Sequence, residues 1–240
     1  MDAKIETLKK WISESDNIVF FGGAGVSTES GIPDFRSTDG LYNTKYKYPP
    51  ETIVSHTFLY RKTEDFFEFY KEKMVAPALK AAPNTAHKRL AELEAEGKLK
   101  AVITQNIDGL HQAAGSKEVL ELHGTVMKNT CNSCGRHYSA EDVMHTSGVP
   151  KCECGGLIRP DVVLYEEGLD TYTMEKALEY IQNADVLIIG GTSLVVYPAA
   201  GLIRYYRGDK LVLINLSETP QDQYADLVIH EKIGEVFSQV

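Results

Sequence analysis

The sequence has no long apolar run and little positive charge. Its longest apolar stretches, such as residues 18–21 and 186–189, are far shorter than the roughly 20 residues that a membrane-spanning helix needs. The 25 Lys and Arg residues stand against 34 Asp and Glu residues, for a formal net charge of −9. Since duplex nucleic-acid binders need clustered positive charge, we expect neither a nucleic acid nor a membrane as a partner. The amphipathic start, MDAKIETLKKWISES, lacks the apolar core of a secretory signal, so we expect a cytoplasmic protein.

Cysteine is scarce, and its four copies lie close together. They form two pairs, Cys131-x2-Cys134 and Cys152-x-Cys154, separated by residues 135–151. This spacing brings four thiolates within reach of one tetrahedral ion, as in structural zinc sites. Two disulfides or free thiols are the alternative, but a Cys-x-Cys disulfide is strained and a reducing compartment disfavours it. Four thiolates leave no open coordination position, so we expect a structural zinc and not a catalytic one.

Strand signals alternate with helix signals along most of the chain. The predicted strands are 17–22, 101–104, 119–122, 185–189, 211–215 and 226–230. The predicted helices are 2–15, pieces of 51–80, 84–95 with Asn84 as its cap, 172–183, 198–206 and one beginning at 233. A cysteine module at 125–160 interrupts the alternation. This pattern predicts an α/β fold, with a parallel sheet covered by helices on both faces.

Small and polar residues follow several of these strands. In open α/β sheets, ligands bind beyond the carboxyl ends of the strands. The strings GGAGVST at 22–28 and GGTS at 190–193 let the backbone approach a pyrophosphate. The first string departs from G-x-G-x-x-G because Thr28 replaces the third glycine, so taken alone it also fits a tight turn. Two such strand ends in one sheet favour a dinucleotide site.

Two further loops carry groups suited to chemistry. TQNID at 104–108 supplies an amide and a carboxylate, and His123 lies at the end of the next strand. An imidazole there suits proton transfer near pH 7. For a lone histidine, a structural hydrogen bond is the alternative.

Together these strings resemble one family. The chain resembles the sirtuins, NAD-dependent protein-lysine deacylases, in their bacterial form. The matching strings are GAGVSTESGIPDFR (23–36), TQNIDGLH (104–111), LHG (122–124), IRPDVVLYEE (158–167), GTSLVVYP (191–198) and INL (214–216), together with the four cysteines. They occur in family order over nearly the whole chain.

The resemblance implies a fold of several parts. A Rossmann-like NAD-binding domain would comprise residues 1–36, 84–124 and 161–240. A helical insertion would span 37–83, and a zinc-binding module 125–160. NAD and an acyl-lysine peptide would enter the cleft between the large domain and the small parts.

The resemblance also implies roles for individual residues. His123 is the implied general base, and Asn106 is the second implied catalytic residue, holding the nicotinamide ribose and an ordered water. The implied NAD contacts are Ala24, Thr28, Phe35, Arg36, Gln105, Ile107, Asp108, Thr192, Ser193, Asn215, Leu216 and Ile233. The peptide would add as a strand between two walls, formed by Val162, Val163 and Leu164 and by Val195 and Val196.

The implied activity is removal of acetyl groups from protein lysines, with NAD consumed and nicotinamide, O-acetyl-ADP-ribose and free lysine formed. The implied partners are acetylated proteins or peptides. Tyr70 is followed by Lys73 where desuccinylating relatives carry Tyr-x-x-Arg, so desuccinylation is expected to be weak. Mono-ADP-ribosyl transfer, an NAD-linked dehydrogenase and a non-catalytic NAD or ADP-ribose binding module remain alternatives. Glu166 replaces a glycine of many relatives and is expected to favour basic residues beside the target lysine.

Overall fold

A computed structural model describes residues 2–34 and 46–240. Phe35 and Arg36, two of the implied NAD contacts, lie outside the described residues. No helix in the described ranges is both long and apolar enough to cross a membrane.

The strands of the described residues form two sheets. In chain order they are β1 (Ile18–Gly22), β2 (Leu99–Thr104), β3 (Val119–Glu121), β4 (Gly124–Cys131), β5 (His137–Ser139), β6 (Ile158–Val162), β7 (Val186–Gly190), β8 (Leu211–Ile214) and β9 (Leu227–Ile229). The larger sheet is parallel and has the order β3-β2-β1-β7-β8-β9. The smaller sheet is antiparallel, with β4 between β5 and β6. The predicted strands of the parallel sheet are therefore confirmed.

The α-helices of the described residues cover the larger sheet or pack against the smaller one. They are α1 (Asp2–Glu14), α2 (Pro50–Ile53), α3 (His56–Arg61), α4 (Thr63–Tyr70), α5 (Ala76–Lys80), α6 (Thr85–Ala95), α7 (Leu110–Ala114), α8 (Ala140–His145), α9 (Thr171–Asn183) and α10 (Ile233–Phe237). A π-helical turn, Lys71–Val75, joins α4 to α5. Asn84 caps α6 as predicted, because its side chain accepts from the Ala86 amide at 3.0 Å.

Alternate residues of the parallel strands enter two different cores. On β1, Ile18 and Phe20 pack in the core formed with α1, α6 and α10. Val19 and Phe21 pack in the core on the opposite face, which includes α9. This period of two leaves both faces apolar, so the sheet is stable only when helices cover both. The predicted fold class is confirmed.

The smaller sheet shares a third core with the helices of residues 50–80. Phe66, Phe67 and Tyr70 from α4 are fully buried there with Val126 of β4. The cysteine module thus contains a strand on each side of β4 as well as α8, details that the cysteine spacing alone does not predict. The division of the chain into domains stays a prediction.

The helix predicted at 198–206 is present as a 3-10 helix, Ala199–Tyr205. The Gly201 amide donates to the Pro198 carbonyl at 2.9 Å, an i→i+3 bond that makes the turn tighter. A glycine inside the segment also lowers its α-helical propensity.

Two histidines are buried side by side between α6 and α7. The ring centroids of His87 and His111 are 4.7 Å apart, and those of His111 and Phe20 are 6.1 Å apart. Within the described residues, neither ring nitrogen of His111 has a hydrogen-bond partner, and His87 Nε2 has none. Burial lowers the pKa of His87 to about 4 and, together with the charge of His87, lowers the pKa of His111 to about 3. Both imidazoles are therefore neutral in the folded protein at pH 7.

The histidine pair makes the folded state sensitive to acid. Both folded pKa values lie below the ordinary value of 6.5, so below pH 6.5 the unfolded chain binds protons that the folded chain does not. We expect each histidine to cost about 1 kcal/mol of unfolding free energy between pH 7.5 and pH 5.5. Urea unfolding of the wild type and of His111→Phe at these two pH values measures the difference. The unfolding free energy of the variant is expected to fall less between pH 7.5 and pH 5.5 than that of the wild type. Equal falls would contradict the lowered pKa of His111.

Candidate active site

One cavity of about 640 Å³ lies at the carboxyl edge of the parallel sheet. Its walls come from the segments that follow β1, β2, β3, β7 and β8. Val54, Lys73, Met74 and Ala78 close it from the helical side. The strand order reverses direction between β1 and β7, which is where ligands bind in open α/β sheets.

Glycine backbone forms the floor of the cavity at this point. The Gly23 amide donates to the Gly190 carbonyl at 3.2 Å, and the Gly25 amide donates to the Gly191 carbonyl at 2.8 Å. Gly191 has a positive φ of 59°, and a Cβ atom there would lie 2.4 Å from the Val26 nitrogen. The two loops touch only because they lack side chains. The absence of side chains here leaves room for a diphosphate group to approach the backbone.

A buried hydrogen-bond network joins the first loop to the TQNID loop. The Ser27 hydroxyl donates to Asp108 Oδ2 at 2.7 Å, and the Asn106 side-chain amide donates to Ser27 Oγ at 3.0 Å. The Leu110 amide donates to Asp108 Oδ1 at 2.9 Å. Burial raises the pKa of Asp108, and these bonds from Ser27 and Leu110 oppose that rise. The network orients Asn106 and Asp108 on the cavity wall.

Ser27 is a site residue that the sequence analysis did not single out. It lies inside the string GAGVS, where the glycines drew attention to the backbone. A small hydroxyl at the end of a glycine turn is a weak signal. Its importance depends on residues 79 and 81 positions away in the chain.

His123 presents an unprotonated nitrogen in its neutral state. Its Nδ1 lies 2.9 Å from the Gln105 carbonyl oxygen, which only accepts hydrogen bonds. The neutral ring therefore carries its proton on Nδ1 and leaves the Nε2 lone pair free. Burial lowers the pKa of His123, and the Gln105 carbonyl partly opposes this shift. The ring lines the cavity together with Asn106 and Asp108.

The cavity gathers most residues that the resemblance implied. Those that line it are Ala24, Thr28, Gln105, Asn106, Ile107, Asp108, His123, Val162, Val163, Leu164, Thr192, Ser193, Val196, Asn215, Leu216 and Ile233. Val195 does not line it, and 50% of that residue is exposed. Lys73, which the comparison with Tyr-x-x-Arg singled out, does line the cavity. Met74 lines it without having been predicted to, since helical periodicity does not say which residues face a ligand.

The four cysteine sulfurs form one cluster. All four lie within 4.8 Å of one another, with Cys131–Cys154 at 3.5 Å and Cys134–Cys152 at 3.6 Å. Four sulfurs about 2.3 Å from a tetrahedral ion would be about 3.8 Å apart, so the arrangement fits zinc. Gly135 and Gly155 have positive φ values of 73° and 86°, which allows the chain to turn beneath the sulfurs.

The fold and the site together define the class of protein. The protein combines a Rossmann-type sheet, a dinucleotide-sized crevice with an imidazole on its wall, and a separate four-cysteine cluster. Such a crevice and a four-cysteine module are also what the sequence strings implied. The chain belongs to the Sir2 family, whose family model matches residues 23–198.

Full-length relatives agree with this membership. The chain is 59% identical to the NAD-dependent protein deacetylase of Clostridium acetobutylicum, covering 99% of this chain and 98% of the relative. It is 57% identical to the protein of the same name from Clostridium tetani, covering 100% and 98%. A solved complex of Sir2 with a p53 peptide and NAD+ has a TM-score of 0.88 at 42% identity, covering 98% of this chain and 96% of the other. A Sir2 variant with a deacetylated p53 peptide and 3'-O-acetyl-ADP-ribose has a TM-score of 0.90 with the same identity and coverage.

The cysteine cluster is expected to act through folding. In Cys152→Ala, three thiolates remain, and we expect the zinc content to fall from about one ion per chain to near zero. The melting temperature should fall and activity should be lost indirectly. Metal analysis and calorimetry check this outcome, and unchanged zinc content and melting temperature would contradict it.

Proposed function

We propose that this protein removes acetyl groups from protein lysines with NAD as co-substrate, giving nicotinamide, O-acetyl-ADP-ribose and free lysine. The observation that carries the proposal is a neutral imidazole, His123, in one cavity with the Asn106 amide, the Asp108 carboxylate and a glycine floor. The relatives named as NAD-dependent protein deacetylases support it, as does the solved complex of Sir2 with a p53 peptide and NAD+.

NAD lies along the carboxyl edge of the sheet in this proposal. The adenosine end contacts residues that follow β7, β8 and β9, namely Thr192, Ser193, Asn215, Leu216 and Ile233. The diphosphate and the adjoining ribose contact Ala24, Thr28 and Arg36, and Phe35 covers the nicotinamide pocket. Gln105 and Asn106 hold the nicotinamide ribose, while Ile107 and Asp108 receive the carboxamide. The Asp108 carboxylate has further lone pairs beyond its bonds to Ser27 and Leu110, so it can accept from the carboxamide.

His123 is the general base. NAD supplies the ribose anomeric carbon, to which the acetyl oxygen of the substrate bonds as nicotinamide leaves. His123 Nε2 would then take a proton through the ribose hydroxyls, so that the 2′-oxygen attacks the acyl carbon. The bond from that carbon to the lysine nitrogen would break as the amine takes a proton, and a water molecule would add to the carbon. Loss of the bond to the anomeric oxygen would leave the acetyl group on the 2′-oxygen, with free lysine released. The Gln105 carbonyl oxygen lies 2.9 Å from Nδ1 and accepts its proton in a hydrogen bond, which stabilises the imidazolium that forms. Because burial lowers the pKa of His123, the ring is neutral and able to accept this proton at pH 7.

The remaining implied groups complete the site. The acyl-lysine peptide lies between Val162, Val163 and Leu164 on one side and Val195 and Val196 on the other. Cys131, Cys134, Cys152 and Cys154 hold a structural zinc ion that stabilises the smaller sheet. No reaction step involves this ion, because its four thiolates fill the coordination sphere.

Removal of the imidazole tests the base directly. His123→Ala should lose at least about 100-fold in kcat for deacetylation, the scale of general-base catalysis. ADP-ribose affinity, measured by calorimetry, should stay within about threefold of the wild-type value. His145→Ala, at an exposed histidine of α8, is the control. Undiminished turnover in His123→Ala would refute the role of His123 as general base. Binding of NAD without turnover in the wild type would instead favour a non-catalytic binding module.

The structure bears on which acyl group the cavity accepts. The Tyr70 hydroxyl donates to Asn129 Oδ1 at 3.3 Å inside the core that the smaller sheet shares with the helices of residues 50–80. Tyr70 does not line the cavity. Lys73 does line it, but its amino group pairs with Glu72 at 2.6 Å. Among the described residues that line the cavity, the lysines are Lys73 and Lys232, and no arginine offers a bidentate partner to an acyl chain that ends in a carboxylate.

Acetyl-lysine should consequently be preferred over succinyl-lysine. With the same peptide carrying either group, kcat/KM should favour acetyl by at least about tenfold. Lys73→Arg should raise desuccinylation a few-fold and leave deacetylation nearly unchanged. Mass spectrometry of the products, with and without NAD, measures both reactions and would also reveal mono-ADP-ribosylated protein. A wild-type desuccinylation rate above the deacetylation rate would contradict the preference.

A further inference from the structure

The partly buried carboxylate of Glu167 contacts three polar groups beside the proposed peptide wall. The side chain of Glu167 is only 17% exposed. Its Oε2 accepts from Arg159 Nη2 at 2.9 Å and from the Leu164 amide at 3.0 Å. Its Oε1 lies 2.8 Å from His56 Nδ1. Glu167 therefore connects β6, the segment after β6 and the start of α3.

The backbone around this carboxylate is held from both sides. The Glu167 amide donates to the Leu164 carbonyl at 3.0 Å, so Glu167 binds both polar backbone groups of Leu164. The His56 amide donates to the Tyr165 carbonyl, and the Tyr165 amide donates to the Val54 carbonyl, each at 3.0 Å. These bonds attach the segment after β6 to the helical side of the cavity.

The same segment is also tied to the proposed base. The Val163 amide donates to the His123 carbonyl at 2.9 Å. Val163 and Leu164 are thus held at one end by the backbone of His123 and at the other by the Glu167 carboxylate. The position of this wall relative to the imidazole depends on both attachments.

We propose that Glu167 is a positioning residue for the acyl-lysine peptide. It fixes Leu164 and Tyr165 in the wall against which the peptide binds, so its loss weakens peptide binding and leaves turnover of the bound peptide nearly unchanged. This inference rests on the proposed deacylase function and adds a residue that has no role there. Glu167 acts through the wall and not on the reacting atoms.

Replacing the carboxylate with an amide is a sharp test because the shape is nearly unchanged. An amide keeps one accepting oxygen, which can still face Arg159 and Leu164, but it then turns an NH2 group toward His56 Nδ1. It also removes the negative charge from the pair with Arg159, and this weaker contact at a partly buried site loosens the wall. The glycine floor that would hold the NAD diphosphate shares none of these bonds.

The experiment separates peptide binding from NAD binding. In Glu167→Gln, we expect the KM for an acetyl-lysine peptide to rise about tenfold or more, with kcat and the KM for NAD within about twofold of wild type. Glu167→Asp should recover part of the loss. Glu118→Gln is the matched control, since Glu118 forms a partly buried ion pair with Lys176 at 2.5 Å outside the cavity lining.

A double variant tests whether Glu167 acts on peptide binding through its contact with Arg159. Arg159→Met should raise the peptide KM in the same direction, and Glu167→Gln added to it should cost less than it does alone. Additive effects would contradict a shared contact.

Two outcomes would overturn the positioning role. One is an unchanged peptide KM in Glu167→Gln. The other is an equal rise of both KM values together with a lower melting temperature, as a general structural defect would produce. If the wild type deacetylated no peptide, the proposed function would fail. Fluorescence anisotropy of a labelled acetyl-lysine peptide would still decide the positioning role, and equal affinities of wild type and variant would refute it.

Discussion

The close approach of two glycine loops at the reversal point of the sheet is the constraint on which the site depends. The loop after β1 and the loop after β7 share a hydrogen bond from the Gly25 amide to the Gly191 carbonyl. A Cβ at Gly191 would lie 2.4 Å from the Val26 nitrogen, so a side chain there would force the loops apart. Their contact sets the cavity floor, and Ser27 lies directly after it. The network from Ser27 to Asn106 and Asp108 takes its position from this contact.

Backbone groups orient the chemical side chains above this floor. The Gln105 carbonyl selects the tautomer of His123, and the His123 carbonyl in turn accepts from the Val163 amide. One short stretch of chain, ending β3 and beginning β4, therefore links the parallel sheet to the smaller sheet. Main-chain partners do not change with protonation, so the imidazole keeps its orientation when it gains a proton. The smaller sheet contributes to the cavity lining through Val162, the last residue of β6.

Much of the molecule follows from local patterns. Short continuous apolar runs predicted the strands of the parallel sheet, because a strand buried on both faces admits few polar residues. The cysteine spacing predicted the sulfur cluster, since four ligands near in sequence need little long-range folding to meet. The family strings predicted most cavity residues, with Phe35 and Arg36 outside the described residues and Val195 half exposed and outside the cavity lining. The helix predicted at 198–206 is a 3-10 helix over Ala199–Tyr205.

Local sequence patterns were enough to predict the fold class, the family, the sulfur cluster and the strand ends that carry polar groups. The partners that those groups meet depend on tertiary packing. Ser27 contacts Asp108 across 81 positions, and Tyr70 turns its hydroxyl to Asn129, 59 positions away, and not to the cavity. Glu167 binds His56 from 111 positions away. Local patterns report the environment of neighbouring residues, whereas these contacts depend on how separate elements pack, which no short stretch of sequence encodes.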